Sequence, residues 1–100
     1  MAYKVTPSKI FIRKVVALNT WLETEWNFTV AADFHNKLLK VILTISEQPA
    51  IGSLSTKKKN VRKLVITKHN KIYYRVKDNA EIILLTLWDT RLNPKKNRYD

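Results

Sequence analysis

Four residues of one short segment share a chemistry. In the stretch KIYYRVK, Lys71, Tyr73, Arg75 and Lys77 alternate with Ile72, Tyr74 and Val76. A strand side chain changes face at every residue. One face is therefore apolar core, and the other carries three cations around an aromatic ring. That pattern suits a phosphate backbone, with cations on the phosphates and Tyr73 or Trp88 stacking on bases. Downstream, Arg91, Lys95, Lys96, Arg98 and Tyr99 add groups of the same kind. The plain alternative is an amphipathic strand whose outer face meets only water. For Arg91 it is a rim arginine paired with Asp89.

The charge balance points the same way. Residues 53–100 hold 13 basic and 4 acidic residues, whereas residues 1–52 hold 6 and 4. The formal charge is +11. A field concentrated on one half of a chain favours a polyanionic partner. Nucleic acid, an acidic protein and an anionic membrane all qualify, but the membrane is poorly served. No apolar run reaches the ~18–20 residues of a spanning helix. Arg13 and Lys14 interrupt the first apolar stretch, so no signal peptide is expected.

Other chemistries fall away. The chain has no cysteine, which removes disulfides, thiolate catalysis and cysteine-ligated metal, and fits a reducing cytoplasm. Its single glycine, Gly52, cannot build a glycine-rich phosphate loop. His35 and His69 lack ligand spacing to each other or to carboxylates, so no metal site is expected. No serine has a neighbouring base.

The elements that must position the cationic face follow from periodicity. Residues 2–6 read as a short strand ending at Pro7. Ser8 offers an N-cap for a helix over about Lys9 to Glu25, with Phe11, Val15, Leu18 and Leu22 as its stripe and Ile12, Val16 and Trp21 widening it. A second helix runs from about Val30 to Glu47, capped by Asn27 or Thr29. Val30, Phe34, Leu38, Val41, Ile42 and Ile45 form its apolar face. Pro49 bars its continuation, and residues 49–60 read as one long loop.

Strands follow at about Val61–Thr67, Lys71–Lys77 and Ala80–Trp88. Asp78-Asn79 reads as a two-residue turn. It sets Lys77 opposite Ala80, Arg75 opposite Ile82 and Tyr73 opposite Leu84. The last strand is apolar on both faces and so belongs inside the sheet. The expected fold is α+β, a single domain over residues 1–100. A short N-terminal strand and a helical hairpin pack on one face of a twisted, mainly antiparallel sheet of three to four strands.

Three groups of residues, in this order, resemble the RelE/ParE superfamily of bacterial type II toxins. The first is Ala32, Phe34, Leu38, Ile42, Ile45, Pro49 and Gly52. The second is the strand pair VRKLVI and KIYYRV, and the third is the strand ending LWDTRLNP. The resemblance covers nearly the whole chain. It implies a toxin neutralised by a cognate antitoxin, with no cofactor. RelE-like members cut mRNA in the ribosomal A site, and ParE-like members poison DNA gyrase without cutting anything themselves.

Carried over by position, the resemblance implies catalytic roles for Arg62 or Lys63, Lys71, Arg91 and Tyr99. Adjacent strand residues face opposite ways, so only one of Arg62 and Lys63 fits. Tyr73, Arg75, Lys77, Lys95 and Lys96 would bind nucleic acid. These residues place metal-independent cleavage of ribosome-bound mRNA first. Gyrase inhibition is the alternative, and a non-catalytic RNA-binding module the third reading.

Overall fold

Ser8 ties the first strand and helix to the last strand. In the computed structural model, which describes residues 2–100, its Oγ accepts the Phe11 amide at 3.0 Å and opens helix α1 (Lys9–Glu25). The same hydroxyl donates to the Leu85 carbonyl at 2.9 Å, deep in the sheet. Strand β1 (Lys4–Pro7) therefore lies alongside β5 (Glu81–Asp89), and the two run parallel.

Helix α2 (Phe28–Glu47) starts at Asn27, whose Oδ1 accepts the Val30 amide at 2.9 Å. Of the two expected caps, Asn27 is the one used. After a 3₁₀ turn (Pro49–Ile51) come β2 (Ser53–Leu54), β3 (Val61–Thr67) and β4 (Asn70–Lys77). A second 3₁₀ turn (Pro94–Lys96) follows β5. The sheet has five strands in the order β1-β5-β4-β3-β2. Only the β1–β5 pair is parallel. The fold is thus α+β as expected, with one strand more. The extra strand, β2, has two residues, too few to show an alternation.

The core lies between the helical hairpin and one sheet face. Phe11, Phe34, Leu38 and Ile45 meet Ile72, Tyr74, Ile82, Leu84 and Leu87. The stripe on α1 is narrower than its sequence suggests. Phe11 is buried, but Ile12, Val16 and Trp21 stay 46–58% exposed.

The β4–β5 register corrects the expected one. The loop has three residues, Asp78, Asn79 and Ala80, and Ala80 takes the left-handed conformation with φ 59°. Lys77 then faces Glu81, Arg75 faces Ile83 and Tyr74 faces Leu84. A left-handed third loop residue is the usual way to close such a hairpin. Further along, a bulge skips Leu85, so Tyr73 faces Thr86 and Lys71 faces Trp88. One extra residue inverts side-chain parity. Ile82 and Leu84 point into the core before the bulge, and Leu87 does so after it. The outer-face neighbours of Lys71, Tyr73, Arg75 and Lys77 are therefore Trp88, Thr86, Ile83 and Glu81. Ile82 and Leu84 belong to the core instead. The displaced Leu85 carbonyl is the one Ser8 satisfies.

Gly52 marks the tightest approach. Its amide donates to the Tyr74 hydroxyl at 2.9 Å, and that hydroxyl donates to the Pro49 carbonyl at 2.7 Å. A Cβ at this position would lie 2.6 Å from both the Lys63 carbonyl oxygen and the Tyr74 hydroxyl. Gly52→Ala must therefore push the loop off β3 and break a buried hydrogen bond. The expected cost is about 2 kcal/mol, seen as a Tm lower by roughly 10 °C in calorimetry. An unchanged Tm would show that the loop moves freely.

Candidate functional site

The outer face of β3 and β4 is closed rather than open. Lys63 on β3 stands opposite Tyr73 on β4, so both side chains leave the sheet on the same side. Residues 97–100 fold back over them. The Asp100 carboxylate lies in the middle, its side chain only 14% exposed. Its Oδ2 takes Lys63 Nζ at 2.5 Å and the Tyr73 hydroxyl at 2.8 Å, with Lys71 Nζ at 3.8 Å. Its Oδ1 accepts the Thr56 amide at 2.9 Å and the Thr56 hydroxyl at 3.1 Å.

Other contacts strap the segment down. Buried Asn97 donates from Nδ2 to the Tyr73 oxygen at 2.9 Å. The Tyr99 ring stacks on Tyr73, with centroids 5.0 Å apart and planes at 27°. Lys71 Nζ sits 5.5 Å from the Tyr73 ring centre, a cation–π distance. Ser55 Oγ donates to the Tyr99 carbonyl, and Lys57 Nζ to the Asn97 carbonyl at 2.8 Å.

The residues singled out in the sequence divide into groups. Lys63, Lys71, Tyr73 and Tyr99 come together around Asp100. Between Arg62 and Lys63, Lys63 is the one on this face. Arg62 shares its side with Tyr74 and donates from Nη1 to the Gly52 carbonyl at 2.6 Å. Arg91 lies elsewhere again. It grips Asp89 through Nε at 3.0 Å and Nη2 at 2.8 Å. It borders a groove beside Trp21, Leu22, Trp26, Phe34 and His69.

Lys77 sits 3.9 Å from Glu81, near the hairpin end, and Arg75 is exposed there. Lys95 and Lys96 are exposed on the second 3₁₀ turn. Sequence reasoning passed over Thr56, Asn97 and Asp100. Asp100 carried a signal, as the one acid among the cations that follow Asp89.

The electrostatics fix what each group can do. Burial pushes the Tyr73 hydroxyl well above its usual range, although the Asn97 hydrogen bond opposes this. It therefore keeps its proton and acts as a donor, not a base. Burial alone would raise the Asp100 carboxyl. Hydrogen bonds from Lys63, the Thr56 amide, Tyr73 and the Thr56 hydroxyl outweigh that and hold it well below the carboxylate range. The Arg91 hydrogen bond holds Asp89 down in the same way. The cluster thus holds an anion, the chain's own carboxylate, with Lys63, two hydroxyls and one amide as donors and Lys71 as a second cation 3.8 Å away. Among the described residues, no group of three or more His, Asp or Glu side chains gathers as a metal site.

The depressed Asp100 carboxyl makes a signed prediction. A folded pKa below the unfolded one stabilises above the unfolded value and loses that stabilisation as pH falls toward the folded value. Asp100→Asn is expected to remove roughly 1–2 kcal/mol near neutral pH. The gap to wild type, read from urea midpoints, holds down to the ordinary value of 3.8 and narrows below it. A gap independent of pH would contradict the ion-paired geometry.

Residues 5–94 match the family model described as the ParE toxin of the type II toxin–antitoxin system parDE. No curated protein matches the chain in sequence. Among solved structures, a chain of the chromosomal ParDE system from P. aeruginosa superposes with TM-score 0.75 at 13% identity. The match covers 90% of this chain and 98% of that one. The isolated E. coli RelE toxin gives 0.57 at 15% identity, covering 94% and 90%. A chain of the RelBE2 toxin–antitoxin complex from Mycobacterium tuberculosis gives 0.57 at 12%, covering 89% and 99%. At such identities these likenesses show a shared fold. The family-model match spans nearly the whole chain, which therefore belongs to the ParE toxin family of type II toxin–antitoxin systems, within the RelE/ParE superfamily.

Proposed function

We propose that this toxin arrests growth by binding DNA gyrase and blocking its cycle, without cutting nucleic acid itself. The observation that carries this is the division of the cleavage candidates. Cleavage by the 2′-hydroxyl route needs a base, a charge stabiliser and an acid around one phosphate. Here Arg62 and Arg91 stand apart from Lys63, Lys71 and Tyr99. Arg91 is bound to Asp89, and Lys63 and Tyr73 are bound to Asp100.

A protein target fits the rest of the surface. Trp21, Trp26 and Phe28 are 46%, 64% and 74% exposed. The two tryptophans line the groove that Arg91 borders. Exposed aromatics beside an arginine are the commonest anchors of protein interfaces. Among the described residues, no helix is long and apolar enough to cross a membrane.

A cognate antitoxin is the second proposed partner. The M. tuberculosis relative was solved as a toxin–antitoxin complex. The charge of +11 would steer an acidic segment to this surface. Ribosome-dependent mRNA cleavage, the first reading from sequence, becomes the second here; the meeting of Lys63, Lys71 and Tyr99 on one face favours it.

Expression of the chain is expected to arrest growth. With purified gyrase it blocks supercoiling and accumulates broken DNA, while ribosome-bound mRNA stays whole. Trp26→Ala weakens gyrase inhibition by about tenfold or more. Cut mRNA with unaffected gyrase would overturn the proposal in favour of the second reading.

A further inference from the structure

We infer that the corner between the first 3₁₀ turn, β2 and the β4–β5 hairpin, on the helix side of the sheet, binds a free amino acid with an apolar side chain. Arg62 takes its carboxylate and Asp78 its ammonium group. This site is separate from the choice of toxic target, from the Arg91 groove and from the Asp100 cluster.

The fold leaves this corner open. Helix α2 ends at Glu47. The Tyr3 amide donates to the Ser46 carbonyl at 2.8 Å, which sets Tyr3 beside the helix end. Leu54 on β2 stands opposite Arg62 on β3, and Arg62 opposite Tyr74 on β4. Directly paired residues share a face, so Leu54 and Arg62 leave the sheet on the helix side with Tyr74. Val76, two residues after Tyr74, does the same. The helix that would cover them has already ended, and Leu54 stays 61% exposed. Tyr3, Leu54, Arg62, Val76 and Asp78 line a cavity of about 500 Å³. That lies within the ~300–1,000 Å³ range of small-molecule sites.

The charges in the corner are unmatched. Arg62 is half-buried, and its Nη1 donates to the Gly52 carbonyl at 2.6 Å and reaches the Ala50 carbonyl at 3.4 Å. Both partners are neutral. Lys63 and Lys71, the other half-buried cations, each meet Asp100. Among the described residues, neither Arg62 nor Asp78 has an ion-pair partner. A guanidinium drawn partly out of water without a counter-ion favours an anion from outside. Its planar fork of donors matches a carboxylate, and Nη1 is the arm that the chain holds.

The one acid and the apolar wall narrow the ligand. A bare anion would meet Asp78 at the rim, and a bare cation would meet Arg62. A zwitterion satisfies both. Lys77, also on the rim, is already 3.9 Å from Glu81. Tyr3, Leu54 and Val76 offer an aliphatic side chain a surface on which to leave water. Arg62 is positioned before any ligand arrives, because the Gly52 carbonyl holds it and the Gly52 amide is itself fixed on the Tyr74 hydroxyl at 2.9 Å. Such preorganisation lowers the cost of binding.

The test titrates the isotope-labelled full chain with L-leucine and follows backbone amide resonances. The amides of Leu54, Arg62, Val76 and Asp78 are expected to move together and saturate, with a Kd on the order of 1 mM for so small a ligand. Leucinamide lacks the carboxylate and 4-methylpentanoate lacks the ammonium group. Each should bind about tenfold more weakly. Arg62→Met and Asp78→Asn should each weaken leucine binding about tenfold. Asp78 is exposed in the hairpin loop, so its variant keeps the test decisive if Arg62→Met fails to fold. Shifts that do not saturate with leucine would overturn the inference. So would equal binding of either analogue, or a wild-type Kd in Asp78→Asn or in folded Arg62→Met.

Discussion

Two adjacent tyrosines on β4 are both fully buried, and they point to opposite faces of the sheet. Burying a tyrosine ring requires a partner for its hydroxyl. Tyr74 meets that requirement with the Pro49 carbonyl and the Gly52 amide, which sets the path of the first 3₁₀ turn and of β2. Tyr73 meets it with Asn97 and Asp100, which draws residues 97–100 across the sheet. One strand therefore organises both sides. Among the described residues, no buried side-chain nitrogen or oxygen lacks a partner.

That constraint changes the meaning of the cationic face. A row of lysines on a strand suggests an open surface awaiting a polyanion. In the folded chain the nearest anion is internal. The carboxylate of Asp100 partly neutralises Lys63 and Lys71, and the Tyr99 ring covers Tyr73. The free aromatic surface lies on the helical hairpin instead, where Trp21 and Trp26 flank the Arg91 groove. A ParE-family chain thus presents an apolar, protein-like surface on one side and a closed anion site on the other.

Much of this fold was legible in the sequence because its signals are local. The cap at Ser8, the stop at Pro49 and the alternation through Lys71–Lys77 each depend on a few neighbouring residues, and the structure follows them. β2 was not legible, since two residues carry no period. The β4–β5 register was not either, because one bulge at Leu85 inverts a parity that the apolar run ILLTLW would satisfy in either setting. The site was half legible. Lys63, Lys71 and Tyr99 were visible as residue types. Their meeting with Thr56 and Asp100 spans the distance from loop to tail, and no spacing encodes it. Arg62 and Arg91 looked equivalent to them in sequence. Strand parity turned Arg62 to the other face, and Asp89, two residues before it, claimed Arg91.

Residues 97–100 cover the outer face, with Tyr99 against Tyr73. Nuclear Overhauser spectra of the free protein test it directly, because the two ring centres are 5.0 Å apart. Cross-peaks between the Tyr73 and Tyr99 ring protons are predicted. Their absence, with random-coil shifts for residues 97–100, would contradict the account.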